Sequence, residues 1–414
     1  MKLSFQFKEK MMNDFIIFND MSFLYNIGIN CYIIIIRIAS IINPQARLWL
    51  SGRKKLLCKI KKSVYKKKNI VWFHCASLGE FEQAKPVISE YKSINPNHKV
   101  LLTFFSPSGY ELEKNNALAD WVFYLPTDTK SNSKEFIMLV NPIKAVFIKY
   151  EFWFNYIHEL KKNKIPIYSV SSVFRSEQLF FKFTWWANQL KNISHFFVQD
   201  LASKKLLNSI NINNVTVSGD TRFDNVLSNS KKSEEIELIK NFCNNNDTII
   251  CGSTWPADEK LLIDYISKNH QYKYIIAPHE MNRNSSLQNK TKGTLYSNAT
   301  EENIRDSRVL IIDNIGNLSK IYKYGTLAYI GGGFGRGIHN LLEATAFGLP
   351  VIFGPKYDKF NEAKELIKLD AGISVASYSE LVFAIEKFIG FKNSISIDYV
   401  KTNSGATKKI LSVL

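Results

Sequence analysis

Acidic side chains stand at the ends of two β-rich runs in the first half of the sequence. His74-Cys75-Ala76-Ser77-Leu78-Gly79-Glu80 closes one apolar run and opens a helical one. A carboxylate at such a turn can be held against a bound hydroxyl and take its proton, the work of a general base. The same position also suits a helix cap that complements the helix dipole. Lys149-Tyr150-Glu151-Phe152-Trp153 repeats the pattern with Glu151 among bulky aromatics, and taken alone it reads equally well as a carboxylate at a helix start. Ser218-Gly219-Asp220-Thr221-Arg222-Phe223-Asp224 adds a guanidinium. Arg222 is suited either to stabilising a leaving phosphate or to an ion pair with Asp224.

The second half offers a different kit. Gly331-Gly332-Gly333-Phe334-Gly335-Arg336-Gly337 follows an apolar run and precedes Asn340-Leu341-Leu342-Glu343. Glycines let backbone N–H groups approach a phosphate, and a helix N-terminus favours its charge. A dinucleotide fingerprint reads similarly, with Asp358 about 20 residues on, but that motif belongs after the first strand of its domain. Phosphate of a nucleotide-linked donor is therefore the expectation here, with Glu343 placed to accept from a ribose diol or simply to complement a helix dipole. Pro278-His279-Glu280 ends another apolar run, and His279 reads as a ligand-facing group or a satisfied loop histidine.

Residues of this kind need strands to hold them. After Lys68, β-rich runs over 70–76, 99–105, 121–124, 145–148, 167–173, 196–198 and 215–218 alternate with helical stretches such as 81–92, 134–140 and 154–163. A second series has strands over 248–251, 274–277, 309–312, 327–330, 351–353 and 373–375, with helices over 258–268, 318–322, 340–347, 362–368 and 380–388. Alternation of this kind implies βαβ units and parallel sheets. The expected organisation is an N-terminal segment (1–68), an α/β domain (69–228), an Asn-rich linker region (229–246) and a second α/β domain (247–414). Ligands of such folds sit outside the C-terminal ends of the strands, which predicts a cleft between the two domains.

The chain has 414 residues and a net charge of +17. Residues 1–68 carry 14 Lys and Arg against 3 Asp and Glu, while 69–224 and 225–414 carry 17 against 14 and 23 against 20. The excess is thus concentrated at the N-terminus and lacks the aromatic interleaving of a nucleic-acid surface, so no nucleic-acid partner is expected. The 21-residue apolar run at 22–42, broken by Arg37, is long enough to cross a bilayer and equally able to lie in its interface, and it also reads as an amphipathic or buried helix that packs on the protein. The Lys- and Arg-rich stretch 47–68 that follows attracts anionic lipid and places the rest of the chain on the cytoplasmic side. Five scattered cysteines without C-x-x-C spacing fit a reducing compartment, and the seven histidines include no paired ligand motif, so no metal site is expected.

Seven motifs in order, over about 300 residues, resemble the Kdo transferase family, whose members move 3-deoxy-D-manno-octulosonic acid (Kdo) from CMP-Kdo to lipid A. They are R-L-W-L-S-G-R-K-K at 47–55, H-C-A-S-L-G-E at 74–80, S-P-S-G at 106–109, Y-E-F-W-F-N at 150–155, G-D-T-R-F-D at 219–224, G-S-T-W at 252–255, and G-R-G-I-H-N-L-L-E-A at 335–344 with its G-L-P-V-I-F-G-P continuation. The resemblance implies two Rossmann-like domains of the glycosyltransferase B type and an inverting, metal-independent reaction without a cofactor, CMP-Kdo being a co-substrate. It implies a lipid A precursor as acceptor, inner-membrane lipids as partners, and a place at the inner membrane. Glu80 matches the family's catalytic base, and Glu151 and Arg222 match its transition-state-stabilising residues. Asn340, Leu341, Leu342 and Glu343 match a CMP-binding segment; Pro278 with His279, and Ile315-Gly316-Asn317, fall where other CMP contacts are expected. The sequence departs from the family pattern in having Pro-His-Glu for Pro-Arg-His, Trp153-Phe154 for Trp-Pro, and Asn317 for an acidic residue. Short of the resemblance, a UDP-sugar transferase of the same fold or a non-catalytic nucleotide-sugar-binding protein would carry much the same residues.

Overall fold

The computed structural model describes residues 2–314, 316, 318–390 and 394–414, with side chains from Met21 onward. Among the described residues the chain forms two compact units, Met1–Arg222 with Gly405–Leu414, and Phe223–Ser404. The first begins with three helices, α1 (Lys2–Ala39), α2 (Pro44–Gly52) and α3 (Leu56–Val64), and then enters its sheet.

That sheet comprises β1 (Ile70–Cys75), β2 (Lys99–Phe104), β3 (Trp121–Tyr124), β4 (Lys144–Ile148), β5 (Ile167–Ser172), β6 (His195–Val198) and β7 (Val215–Val217). All pairings are parallel and the order is β3-β2-β1-β4-β5-β6-β7. The sequence Ile-Val-Trp-Phe-His-Cys of β1 is buried at every position because both faces are covered. Ile70 and Trp72 enter one core with Phe136, Phe147 and Tyr156, while Val71, Phe73 and Cys75 enter the other with Phe81, Val87 and Phe104. Helix α4 (Leu78–Ile94) returns from β1 towards β2.

The second unit has its own sheet of β8 (Thr248–Thr254), β9 (Lys273–Pro278), β10 (Thr294–Leu295), β11 (Val309–Ile311), β12 (Leu327–Ile330), β13 (Val351–Phe353) and β14 (Gly372–Ser374). Its order is β10-β11-β9-β8-β12-β13-β14, again parallel. The first sheet switches direction between β1 and β4, and the second does so between β8 and β12. A topological switch point of this kind leaves a crevice beyond the strand ends where ligands bind.

The boundaries differ from the expected ones in three ways. The segment 229–246 contains helix Glu237–Cys243, whose Ile239, Phe242 and Cys243 are core residues of the second unit, so it is an integral part of that unit. The chain's last ten residues return to the first unit: helix Ala406–Leu411 packs on α4, with Ile410 fully buried beside Phe81 and Tyr91. The helix expected over 340–347 is only Leu342–Thr345, and the two-residue strand β10 adds an edge that its sequence does not advertise.

Candidate active site

The switch point of the first unit holds both acidic residues. Ser77 is the N-cap of α4 and Glu80 lies in its first turn. Glu80 reaches back so that its Oε2 accepts a hydrogen bond from the Ala76 N–H. The capping alternative therefore holds, and in the same geometry the carboxyl is held at the end of β1, 8% exposed. Burial raises its pKa to about 7, the Glu151 charge adds to the rise, and the Ala76 N–H and the Lys149 ammonium oppose it. A carboxyl that titrates near neutrality is matched to taking and returning a proton. Cys75, wholly buried beside the same two carboxylates, is pushed far above the usual thiol range and offers no thiolate nucleophile.

Glu151 owes its position to a backbone that residues around it hold firmly. Lys149 takes a left-handed conformation at φ 59° at the end of β4. Its carbonyl accepts from the hydroxyls of Ser169 and Ser172, and its N–H donates to Val170 O at 2.7 Å. Such a conformation costs a non-glycine residue about 1 kcal/mol or more, and it persists here because β5 fixes it from three directions. His74, fully buried in β1, secures the other side of the loop. Its Nδ1 donates to Thr103 O at 3.1 Å, which leaves Nε2 to accept from the Trp153 indole N–H at 3.3 Å. The Glu151 Oε2 lies 3.9 Å from that same Nε2. His74 and Trp153 thus fix the turn that carries Glu151, a role that a lone strand histidine in the sequence does not announce.

Arg222 follows β7, at the far edge of the sheet, yet its segment crosses back to α4. The Thr221 hydroxyl donates to Gln83 O at 2.7 Å and lies 2.9 Å from the Ser171 hydroxyl. Arg222 Nε donates to Asp220 Oδ2 at 2.8 Å and its backbone N–H to Asp220 Oδ1 at 2.9 Å. Asp220, two residues earlier, is therefore the residue that orients the guanidinium.

In the second unit the remaining residues also gather at strand ends, but the glycine run does a different job from the one expected. The N–H groups of Gly331, Gly332, Gly335 and Gly337 are committed within the unit, to Gly252 O, Asp258 Oδ2, Gly332 O and Gly332 O. A Cβ on Gly331 would sit 2.3 Å from Ser253 O, and one on Gly333 would sit 2.5 Å from Gly354 Cα. These glycines let three strand-end loops pack backbone to backbone. The four committed amides do not form a phosphate cradle, and the helix that follows is too short to supply one.

What the loop presents instead is an aromatic stack and a carboxylate. His279 stacks on Trp255 with centroids 4.6 Å apart and lies 4.6 Å from the His339 ring. Trp255 Nε1 donates to His339 Nε2 at 2.9 Å, which keeps His339 neutral, and burial lowers its pKa in the same direction. Asn340 Nδ2 donates to Glu343 Oε1 at 3.1 Å, orienting that carboxylate beside the buried Tyr322. Leu341 and Leu342 are fully buried, so only their backbone can meet a ligand, and Pro278 is buried at the end of β9. Gly316 has a φ of 96° and open space around it; Ile315 and Asn317 lie outside the described residues. Sequence reasoning passed over Trp255 and His339 as a pair, because only the strand order β9-β8-β12 makes their loops neighbours.

Residues 51–225, which include Glu80, Glu151 and Arg222, match the family described as 3-deoxy-D-manno-octulosonic-acid transferase (kdotransferase). The 3-deoxy-D-manno-octulosonic acid transferase of Aquifex aeolicus is 27% identical over 345 residues, which make up 82% of this chain and 91% of that protein. Over about four-fifths of its length the chain is thus similar to the Kdo transferases. That of Rickettsia typhi is 25% identical over 356 residues, covering 81% of this chain and 75% of the relative. Among solved structures, the UDP-GlcNAc 2-epimerase of Neisseria meningitidis bound to UDP-GlcNAc superposes with a TM-score of 0.58 at 16% identity, over 83% of this chain and 98% of that one. A glycosyltransferase from Rickettsia africae gives 0.55 at 13% identity, over 84% and 97%. At such identities these structures speak for the fold alone, two Rossmann-like domains of the glycosyltransferase B type.

Proposed function

We propose that this protein is an inverting glycosyltransferase that moves Kdo from CMP-Kdo to a lipid A precursor, with Glu80 as general base. The family relationship supports glycosyl transfer with Kdo as the sugar. The observation that carries the mechanism is the Glu80 carboxyl, held at the switch point of the first sheet with a pKa raised to about 7. In this reading Glu80 takes the proton of an acceptor hydroxyl as that oxygen attacks the anomeric carbon of Kdo. The bond from that carbon to the CMP phosphate breaks, and CMP leaves with the electron pair. Glu151, held by the His74–Trp153 clamp, keeps Glu80 basic and faces the positive charge that develops on the sugar. Arg222, oriented by Asp220, answers the negative charge on the leaving phosphate.

On the donor side, the Trp255–His279–His339 stack suits the face of a pyrimidine base, and Glu343, oriented by Asn340, suits a ribose diol. Pro278, Gly316 and the backbone of Leu341 and Leu342 complete this proposed donor region. The reading places the enzyme at the inner membrane with its catalytic units on the cytoplasmic side, where the basic N-terminal segment meets anionic lipid.

The test joins donor choice to the base. CMP is expected to raise the melting temperature of the wild type and of Glu80→Gln equally, and UDP much less. The Gln variant is expected to lose transfer by roughly 10²–10⁴-fold, the usual worth of general-base help. Protection by UDP and not by CMP would make this a UDP-sugar transferase, and a Gln variant with normal turnover would remove Glu80 from its role.

A further inference from the structure

Helix α1 contains the one stretch among the described residues that is long and apolar enough to cross a membrane, Met21–Ala39. The structure shows what one side of it touches. Ser22, Tyr25, Asn26, Ile29, Ile33 and Ile36 recur at three- and four-residue spacing and form the half-buried stripe that faces the first unit. The Tyr25 hydroxyl donates to Asp128 Oδ2 at 2.6 Å and accepts from the Phe154 N–H at 3.4 Å. Asn155 Nδ2 donates to Asn26 Oδ1 at 3.1 Å. The Tyr25 ring packs on Phe154 at 5.3 Å and on Trp186 at 6.0 Å, and about two turns further on Tyr32 meets Trp49 at 5.9 Å. Asp128 is buried and also accepts from the backbone N–H groups of Asn155 and Tyr156. The helix is thus tied to the first turn of helix Phe154–Lys162, directly after the Glu151 loop.

The opposite side of α1 is bare and apolar: Phe23, Leu24, Ile34, Ile35 and Ile38 are each more than half exposed. A spanning helix is wetted by hydrocarbon on all sides over about 30 Å. The stripe from Ser22 to Ile36 runs along the protein for about 21 Å at 1.5 Å per residue, so little of the apolar stretch Met21–Ala39 is left to cross anything while docked. One apolar face, backed by protein and followed in the chain by the Lys- and Arg-rich stretch 53–68, is the form of an element lying in the plane of an anionic bilayer surface.

We propose that α1 is an in-plane docking helix for an anionic lipid surface, not a membrane span, and that it remains locked to the first unit through Tyr25 and Asn26 while bound. This rests on the membrane reading given above and fixes its geometry. Lipid docking is then wired to the turn that bears Glu151, because Tyr25 bonds the helix that begins there.

Leu24, Cys31 and Ile38 are spaced by seven residues on the exposed side of α1. Single nitroxide labels at these three positions, in the full chain with Cys58→Ser and with Cys31→Ser for the two outer sites, report depth by collision with oxygen and with a water-soluble nickel chelate. The vesicles are phosphatidylethanolamine with phosphatidylglycerol, and phosphatidylcholine alone for comparison. The proposal predicts three similar, shallow depths of about 5–10 Å in the anionic vesicles and much weaker binding to phosphatidylcholine. A deep label at position 31 with shallower ones at 24 and 38 would establish a span and overturn the proposal while leaving membrane attachment intact. Three labels that stay in water with either vesicle would overturn both.

Discussion

At the scale of single residues, Glu80 carries the pH dependence. In the proposed role as general base it acts in its ionised form, so kcat/KM is expected to rise with pH through a limb near 7, the value to which burial and Glu151 lift the carboxyl. Glu151→Gln removes the neighbouring charge and should move that limb to lower pH, whatever it does to the maximal rate. A limb that stays in place in this variant would mean that the two carboxylates are not coupled. The same shift affects stability. The proton on Glu80 is held more tightly in the folded chain than in the unfolded one, so this carboxyl makes the fold less stable as pH rises from about 4.5 to about 7. Fully ionised, it costs at most about 3 kcal/mol. Glu80→Gln is therefore expected to melt above the wild type at pH 8 and to lose that advantage near pH 4.5. Circular dichroism melts at the two pH values check this, and a variant that melts lower at pH 8 would contradict the desolvation argument. Glu80 and Glu151 were legible in the sequence because a carboxylate at a strand-to-helix turn is conspicuous. His74 was not, because its partners Thr103 and Trp153 come from two other segments.

At the scale of elements, the strand-end loops of the second sheet depend on one buried carboxylate. Asp258 accepts from the Trp255 and Gly332 N–H groups and from the Tyr329 hydroxyl, each at 2.9 Å. Asp258→Ala leaves three donors unpaired, two of them buried, and should destabilise the protein by about 3 kcal/mol or more, read as a lower urea midpoint. Gly331→Ala forces a Cβ against Ser253 O and should cost about 1–3 kcal/mol. Near-wild-type stability in both would mean that these loops are loosely joined. In the sequence Asp258 is an ordinary acid at a helix start, and the glycine run reads as a phosphate loop. The strands themselves were legible because parallel strands buried on both faces are nearly continuous apolar runs. What stayed hidden was the use of the glycines, since close approach of Ser253 and Gly354 depends on how β8, β12 and β13 lie side by side.

At the scale of the whole molecule, the chain closes by returning its last helix to α4, the helix that begins with the Glu80 turn. Ile410 is fully buried there among Phe81, Tyr91 and Val87. Ile410→Ala should cost about 2–5 kcal/mol in urea unfolding. It should also lower transfer at temperatures where the wild type is unaffected; a variant of unchanged stability would show that this helix is dispensable. A return of this kind leaves no trace in the sequence, because a short amphipathic helix suits either unit. The uneven charge, by contrast, was fully legible. The central claim is that this enzyme transfers Kdo through Glu80. Its most direct test is mass spectrometry of a lipid A precursor incubated with CMP-Kdo and either the wild type or Glu80→Gln. The account predicts a product heavier by one or more Kdo residues with the wild type and essentially none with the variant. An unchanged acceptor mass with the folded, CMP-binding wild type, or equal product from both proteins, would contradict it.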